Sequence, residues 1–261
     1  MKLKESLTIP KISAISKEAF YKEYVYKNKP VVITGLVDDW SALRIWNVDY
    51  FKSKYGTSTV QAYQLNRKGE CDIDTSKGSA TQAANLGECL STFDFPVLQT
   101  RWSVAASKDL FPAQINKEFK PPLYCADGKF LRSMIFVGPT GVVSPLHQDL
   151  PENLYVMVNG VKRITLFKPS DSVYPNSRLS NLPNHSQIDA ERPNFEKFPK
   201  LINSQPYIVD LKAGETLFIP SFWWHHLRNL EPSFAVNFWW SQGWKLPIAW
   251  AASLYKKWRA I

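Results

Sequence analysis

The chain has 261 residues, 44% of them hydrophobic and ten of them Trp, with 32 Lys and Arg against 23 Asp and Glu for a formal charge of +9. That composition excludes global disorder and the length suffices for one large core. No stretch approaches the roughly eighteen uninterrupted apolar residues of a membrane span, residues 1–10 hold no apolar run of signal-peptide length, and Cys71, Cys89 and Cys125, odd in number and without CxxC spacing, indicate neither a disulfide framework nor a zinc knuckle. The expectation is a soluble, cytoplasmic protein with no membrane partner. An acidic partner would suit the charge, but Lys2, Lys4, Lys11, Lys17, Lys22, Lys27 and Lys29 form no compact run, so a solvated surface accounts for them.

Residues 9–26 read as an extended lead-in and then a helix, with Ser16 as N-cap ahead of Lys17, Glu18, Ala19 and Phe20. Residues 29–35 are a β-branched run stopped by Gly35, hence a strand. The spacing of Tyr50, Phe51 and Tyr55 predicts a helix over 48–55, ended by Gly56. A strand over 57–65 follows, then a polar mobile loop over 66–85 and a short helix from 85 to 90.

From residue 131 the chain becomes short strands and turns. The strand at 134–137 ends at Gly138-Pro139-Thr140-Gly141. Strands at 153–158 and 161–167 flank Asn159-Gly160, a hairpin signal because both residues tolerate positive φ. A polar, Pro-rich excursion over 169–204 precedes strands at 207–211, 216–220 and 234–240. Residues 247–261 predict an amphipathic helix with Ile248, Ala251, Leu254, Tyr255 and Trp258 on one side and Pro247 in its first turn. The fold class is therefore mainly β, a sandwich or barrel with helices covering its outside. One domain is expected, with a helical and mixed part over about 1–130, a barrel over about 131–243 and the C-terminal helix beyond.

The chemistry-bearing pattern is His147-Gln148-Asp149 followed far downstream by Trp223-Trp224-His225-His226. Residues two apart on a strand share a face, so His147 and Asp149 point together, and neighbouring His225 and His226 point apart. One histidine of that pair could complete a facial set of two imidazoles and one carboxylate, which leaves three adjacent positions open on an octahedral metal. A two-residue hairpin at Asn159-Gly160 would pair Met157 with Lys162, Tyr155 with Ile164 and Asn153 with Leu166. Asn153, Tyr155, Met157 and Lys162 then share one face, with Arg163, Thr165 and Phe167 on the other. A lysine among apolar neighbours needs an anionic partner, which an interior carboxylate ligand would supply. Asn237 and Trp239 repeat the two-residue spacing: the amide could orient a ligand, and Trp239, like Tyr155, could wall the pocket. His185, in a polar loop, reads as a surface residue.

These stretches resemble the cupin-like branch of the JmjC oxygenases, which includes the asparaginyl hydroxylase of hypoxia-inducible factor and JmjC arginyl hydroxylases. The resemblance is carried by Ser144-Pro-Leu-His147-Gln-Asp149, Asn153-Leu154, Gly160-Val-Lys162-Arg163, Phe195 to Pro199, Ala213 to Pro220, Trp223-Trp-His225-His226 and Val236 to Trp240, with Pro30 to Gly35 and Trp40 upstream. It implies a double-stranded β-helix (jelly-roll) fold with flanking N-terminal helices, and His147, Asp149 and His225 as ligands of Fe(II). It further implies 2-oxoglutarate and O2 as cosubstrates. Lys162 would pair with the distal carboxylate, Ser144 would assist, and Asn153 and Asn237 would sit near the chelating end. Relatives often add a tyrosine from an earlier strand, and residues 95–99 offer none. The implied reaction is hydroxylation of an unactivated C–H bond in a protein or peptide, with a small molecule or RNA as other substrates. The Trp residues at 223, 224, 239 and 240 would form a dry aromatic wall. The C-terminal helix would pack on its own barrel or form a homodimer interface, as in related hydroxylases. The competing readings are a metal cupin of another reaction class, which the interior Lys162 opposes, and a non-catalytic binding module, which the intact ligand set opposes.

Overall fold

A computed structural model describes residues 3–66, 73–74, 78–79, 81–95, 102–126, 129–176, 180 and 182–241; the predicted C-terminal helix at 247–261, and with it the proposed dimer interface, lies outside them, as does most of 95–99. From residue 129 onward eight strands follow in order: β1 (Lys129–Gly138), β2 (Val143–Gln148), β3 (Glu152–Asn159), β4 (Val161–Phe167), β5 (Tyr207–Lys212), β6 (Thr216–Ile219), β7 (Trp224–Asn229) and β8 (Ser233–Ser241). They divide between two sheets, β5-β4-β7-β2 in one and β6-β3-β8-β1 in the other, all antiparallel; the chain changes sheet at every step except from β4 to β5. This is the expected jelly roll. Leu7–Thr8 extends the smaller sheet beside β5. Val31–Thr34 extends the larger one beside β6, and Trp102–Ser107, Thr59–Gln64 and Thr81–Asn85 extend it beyond β1. Among the described residues no helix is long and apolar enough to cross a membrane.

Strand alternation divides the core. Tyr155, Met157, Ile164, Leu166, Leu211, Leu217, Leu227 and Ala235 are buried together between the sheets. Leu154, Val156, Val158, Phe234, Val236 and Phe238 face the opposite way, where Phe20, Trp40, Trp46, Phe51 and Tyr55 of the N-terminal part cover them. Strand β3 is thus buried on both faces, which is why it reads as a nearly continuous apolar run. The predicted caps hold the covering helices: the Ser16 hydroxyl accepts from the Ala19 amide at 3.2 Å, and helix Val48–Tyr55 spans the predicted residues.

Two expectations are corrected. Asn159-Gly160 is not a hairpin turn: β3 pairs with β6 and β8, while β4 pairs with β5 and β7. Gly160 (φ +84°) instead turns the chain from one sheet to the other, pressed so closely on Pro232 that a Cβ would lie 2.2 Å from its carbonyl oxygen. The Asn159 amide is drawn to the Trp46 carbonyl at 2.9 Å. The polar 66–85 stretch also contains a strand, Thr81–Asn85, paired with Thr59–Gln64. The excursion after β4 carries a small core of its own, with Val173, Ile188, Phe198 and Leu201 packed on Leu146, Phe167 and Trp224.

Glu118 ties the N-terminal part together. Its buried carboxylate accepts from Trp46 Nε1 at 2.6 Å and from the Tyr50 and Tyr55 hydroxyls at 2.5 Å each. Burial, and after it Glu118 itself, pushes both phenols above their ordinary range, so they stay neutral donors. Glu118→Ala leaves three donors unmatched and is expected to lower unfolding free energy by about 4 kcal/mol in urea titrations, with Glu118→Gln losing roughly half as much.

Candidate metal centre

His147 near the end of β2 stands opposite His225 near the start of β7. Asp149 lies just beyond β2, and its carbonyl accepts from the Phe222 amide at 2.8 Å. Phe222 adopts a left-handed backbone (φ +66°), the turn that feeds the chain into β7. One side-chain ligand atom from each of His147, Asp149 and His225 lies within 4.8 Å of the others. The two imidazole centroids are 4.1 Å apart, and His225 Nε2 is 3.7 Å from Asp149 Oδ2.

Each Nδ1 is engaged by a backbone carbonyl, Pro145 at 2.7 Å for His147 and Trp223 at 3.0 Å for His225. Both rings therefore present Nε2, because a carbonyl on Nδ1 fixes the tautomer and aim of a metal-ligating histidine. Trp239 Nε1 donates to Asp149 Oδ2 at 2.9 Å, so the residue expected to wall the pocket also orients the carboxylate. Burial, and next to it His147, holds His225 down to about 4, the neutral state a metal needs. Burial pushes the Asp149 carboxyl up, but His225, His147 and the Trp239 indole outweigh it and hold it below the usual value. The donor set fits a divalent iron.

These shifts have a consequence for the metal-free protein. His185 is likewise held to about 4, by burial and then by His147. As pH falls from 6.5 toward 4 the unfolded chain takes up protons at His185 and His225 that the folded chain refuses, so stability is lost on acidification. Asp149 acts in the same direction, since its depressed value contributes stability that disappears as it protonates. The thermal midpoint should drop through that window, and saturating metal should oppose the drop.

Across β4, Leu166 stands opposite His225 and Lys162 stands opposite Asn229, four residues along the strand, about 13 Å of backbone that inward-leaning side chains shorten. Lys162 is 6% exposed and donates to the Tyr155 hydroxyl at 2.7 Å. Burial raises the Tyr155 phenol, which stays neutral. Tyr155, which the sequence marks only as pocket wall, thus stands on β3 with its hydroxyl against Lys162. Tyr155 faces Asn237 across β3 and β8, and Asn153 faces Trp239. The side-chain oxygens of Asn153 and Asn237 are buried without a hydrogen-bond partner. Rotation lets such an amide present either its oxygen or its NH2 to a bound molecule, so the interior fits a small dicarboxylate with an anionic far end.

Ser144 lies on the inward side of β2, opposite Leu227. Of the four tryptophans, Trp239 lines the interior beside Phe136 (6.4 Å), and Trp223 joins the inner cluster. Trp224 and Trp240 pack outside, under the excursion and the N-terminal helices, because strand neighbours face opposite ways. Phe136, 6.0 Å from Tyr155, is a wall residue that an unremarkable strand did not advertise. His185 is not a free surface residue: its ring stacks on His147 with centroids 5.2 Å apart. His226 points outward, 3.7 Å from Glu191.

The fold and this centre define a jelly-roll protein whose interior is equipped for a divalent metal held by two histidines and one aspartate. The model of the cupin-like domain matches residues 17–245, and the chain belongs to that family. It is 33% identical to lysine-specific demethylase 8 of Xenopus tropicalis over 247 residues, covering 92% of this chain and 54% of that protein. It is 34% identical to lysine-specific demethylase JMJ30 of Arabidopsis thaliana over 242 residues, covering 89% and 54%. With tRNA wybutosine-synthesizing protein 5 of Mus musculus it shares 25% identity over 262 residues, covering 90% and 78%. The chain therefore spans about half the length of the two demethylase relatives.

Proposed function

We propose that this chain is an Fe(II)- and 2-oxoglutarate-dependent dioxygenase that hydroxylates an unactivated C–H bond, with a protein or peptide side chain as substrate. One juxtaposition carries the reading: a two-histidine, one-aspartate cluster at one end of the barrel interior and the buried Lys162–Tyr155 pair deeper within it. His147, Asp149 and His225 would hold the metal. Lys162, with Tyr155 beside it and Ser144 assisting from β2, would hold the distal carboxylate of 2-oxoglutarate, and Asn153 and Asn237 would meet its chelating end. When bound, iron and 2-oxoglutarate together reduce O2, yielding succinate, CO2 and a hydroxylated product. The chain's own contribution is positional: Trp239 aims Asp149, the Pro145 and Trp223 carbonyls aim the imidazoles, and Phe136, Tyr155 and Met157 keep the interior dry.

The demethylase names of two relatives suit the same chemistry, since hydroxylating an N-methyl carbon releases the methyl group. The charge of +9 and the tRNA-named relative make RNA the second substrate class. Anaerobic titration with Fe(II) and 2-oxoglutarate should produce a visible metal-to-ligand charge-transfer band, lost in His147→Ala. Metal binding without that band would sink the reading. Mass spectrometry of peptide and RNA pools then separates substrates, with one oxygen gained for hydroxylation and one methylene lost for demethylation.

A further inference from the structure

We infer that His185, carried by the excursion between β4 and β5, is a positioning residue for the ligand His147; the inference rests on the metal-site reading above. Strand β2 lies at the edge of the smaller sheet, paired on one side with β7. Residues 184–186 dock along its other side. The Gln148 amide donates to the Asn184 carbonyl at 2.9 Å, the Asn184 side-chain amide to the Gln148 carbonyl at 3.1 Å, and the Ser186 amide to the Leu146 carbonyl at 2.8 Å. This makes His147 and His185 antiparallel bridge partners, and residues so paired project to the same side.

The two rings lie nearly parallel, 20° apart at 5.2 Å, while His225 closes on the other side of His147 at 4.1 Å and 56°. The His147 imidazole is thus confined between two rings as well as tied through Nδ1 to Pro145. A side chain on an open sheet edge would otherwise swing freely, and metal binding would have to order it. His185 is itself fixed: its carbonyl accepts from the Asn176 amide at 2.7 Å, its Nδ1 lies 3.3 Å from Asn184 Oδ1, and the Ser186 hydroxyl donates to the Val173 carbonyl. Further along, Glu191 grips Arg228 on the outer face of β7. His185 does not belong to the cluster whose ligand atoms lie within 4.8 Å, so it acts through the plane of the His147 ring rather than as a ligand.

Titration of the full chain with Co(II), whose visible d–d bands report ligand geometry, tests this in wild type, His185→Ala and His185→Phe. We expect His185→Ala to weaken Co(II) binding about tenfold and alter the band envelope, as loss of a group that orients a ligand does, and His185→Phe, which keeps a flat ring, to stay within about twofold with the wild-type envelope. Thermal unfolding of the metal-free variants verifies folding; should His185→Ala not fold, His185→Gln supplies the same comparison without a ring face. The inference is overturned if the ring-less variant binds Co(II) as tightly as wild type with an unchanged spectrum, or if His185→Phe loses as much as it does. Wild type that binds no Co(II) would instead overturn the metal-site reading.

Discussion

Replacing His225 with Ala should abolish metal binding and turnover, whereas replacing the adjacent His226 with Gln should leave both nearly intact. The two side chains leave β7 on opposite faces. His225 reaches inward, with Nε2 3.7 Å from Asp149 and Nδ1 on the Trp223 carbonyl. His226 reaches outward to Glu191, which also grips Arg228. Removing one ligand of three should weaken metal affinity at least about 100-fold, the upper end of what losing a group that merely orients a ligand costs. His226→Gln forfeits an interaction on the far side of the sheet and should cost about 1 kcal/mol of stability without touching the metal. Metal binds only the folded state, so a hundredfold excess over Kd raises unfolding free energy by about 2.7 kcal/mol. That metal-dependent increment should vanish in His225→Ala and persist in His226→Gln. Equal losses in the two variants would mean that the inward and outward faces of β7 have been misassigned.

Much of this was legible because strand and helix periods report faces directly. The two-residue spacing placed His147 with Asp149 and Asn237 with Trp239, and Ser16 marks the start of a helix because its hydroxyl caps the first turn; the asparagine caps at Asn47 and Asn85 follow the same rule and are seen only in the structure. Which strands pair was not legible at Asn159-Gly160. A hairpin and a sheet-crossing corner demand the same positive-φ glycine, and what decides between them is Pro232 and Trp46, both remote in sequence. Alternation along β4 groups Lys162 with Ile164 and Leu166 whichever strand lies beside it, but that this face is the buried one is decided by the opposing sheet and not by the local pattern. His185 escaped notice for a different reason. A polar loop residue carries no period, and its stack on His147 exists only because an open sheet edge recruits residues 184–186. Tyr155 was located but its partner was not, because the opposing sheet brings Lys162 to its hydroxyl and a local pattern says nothing of that meeting.

That meeting gives the second large effect: Lys162→Ala should raise the 2-oxoglutarate concentration needed for the charge-transfer band by about 100-fold or more. A carboxylate entering this interior gives up its hydration, and a buried ammonium is what offsets the loss; removing one partner of such a pair typically costs about 3–5 kcal/mol. Tyr155→Phe removes a neutral hydroxyl and leaves the charge, so about tenfold is expected. Lys162→Arg should rescue poorly, because a planar fork is larger and directs its donors differently from an ammonium in a packed interior. Metal affinity without cosubstrate should stay at the wild-type value in all three, since Lys162 sits on β4 four residues from the position opposite His225. A 2-oxo acid lacking the distal carboxylate supplies the sharper contrast. Wild type should strongly prefer 2-oxoglutarate to it, and Lys162→Ala should treat the two alike. If the variant keeps the wild-type preference, the anionic end is read elsewhere in the barrel, and Lys162 with Tyr155 is a structural pair.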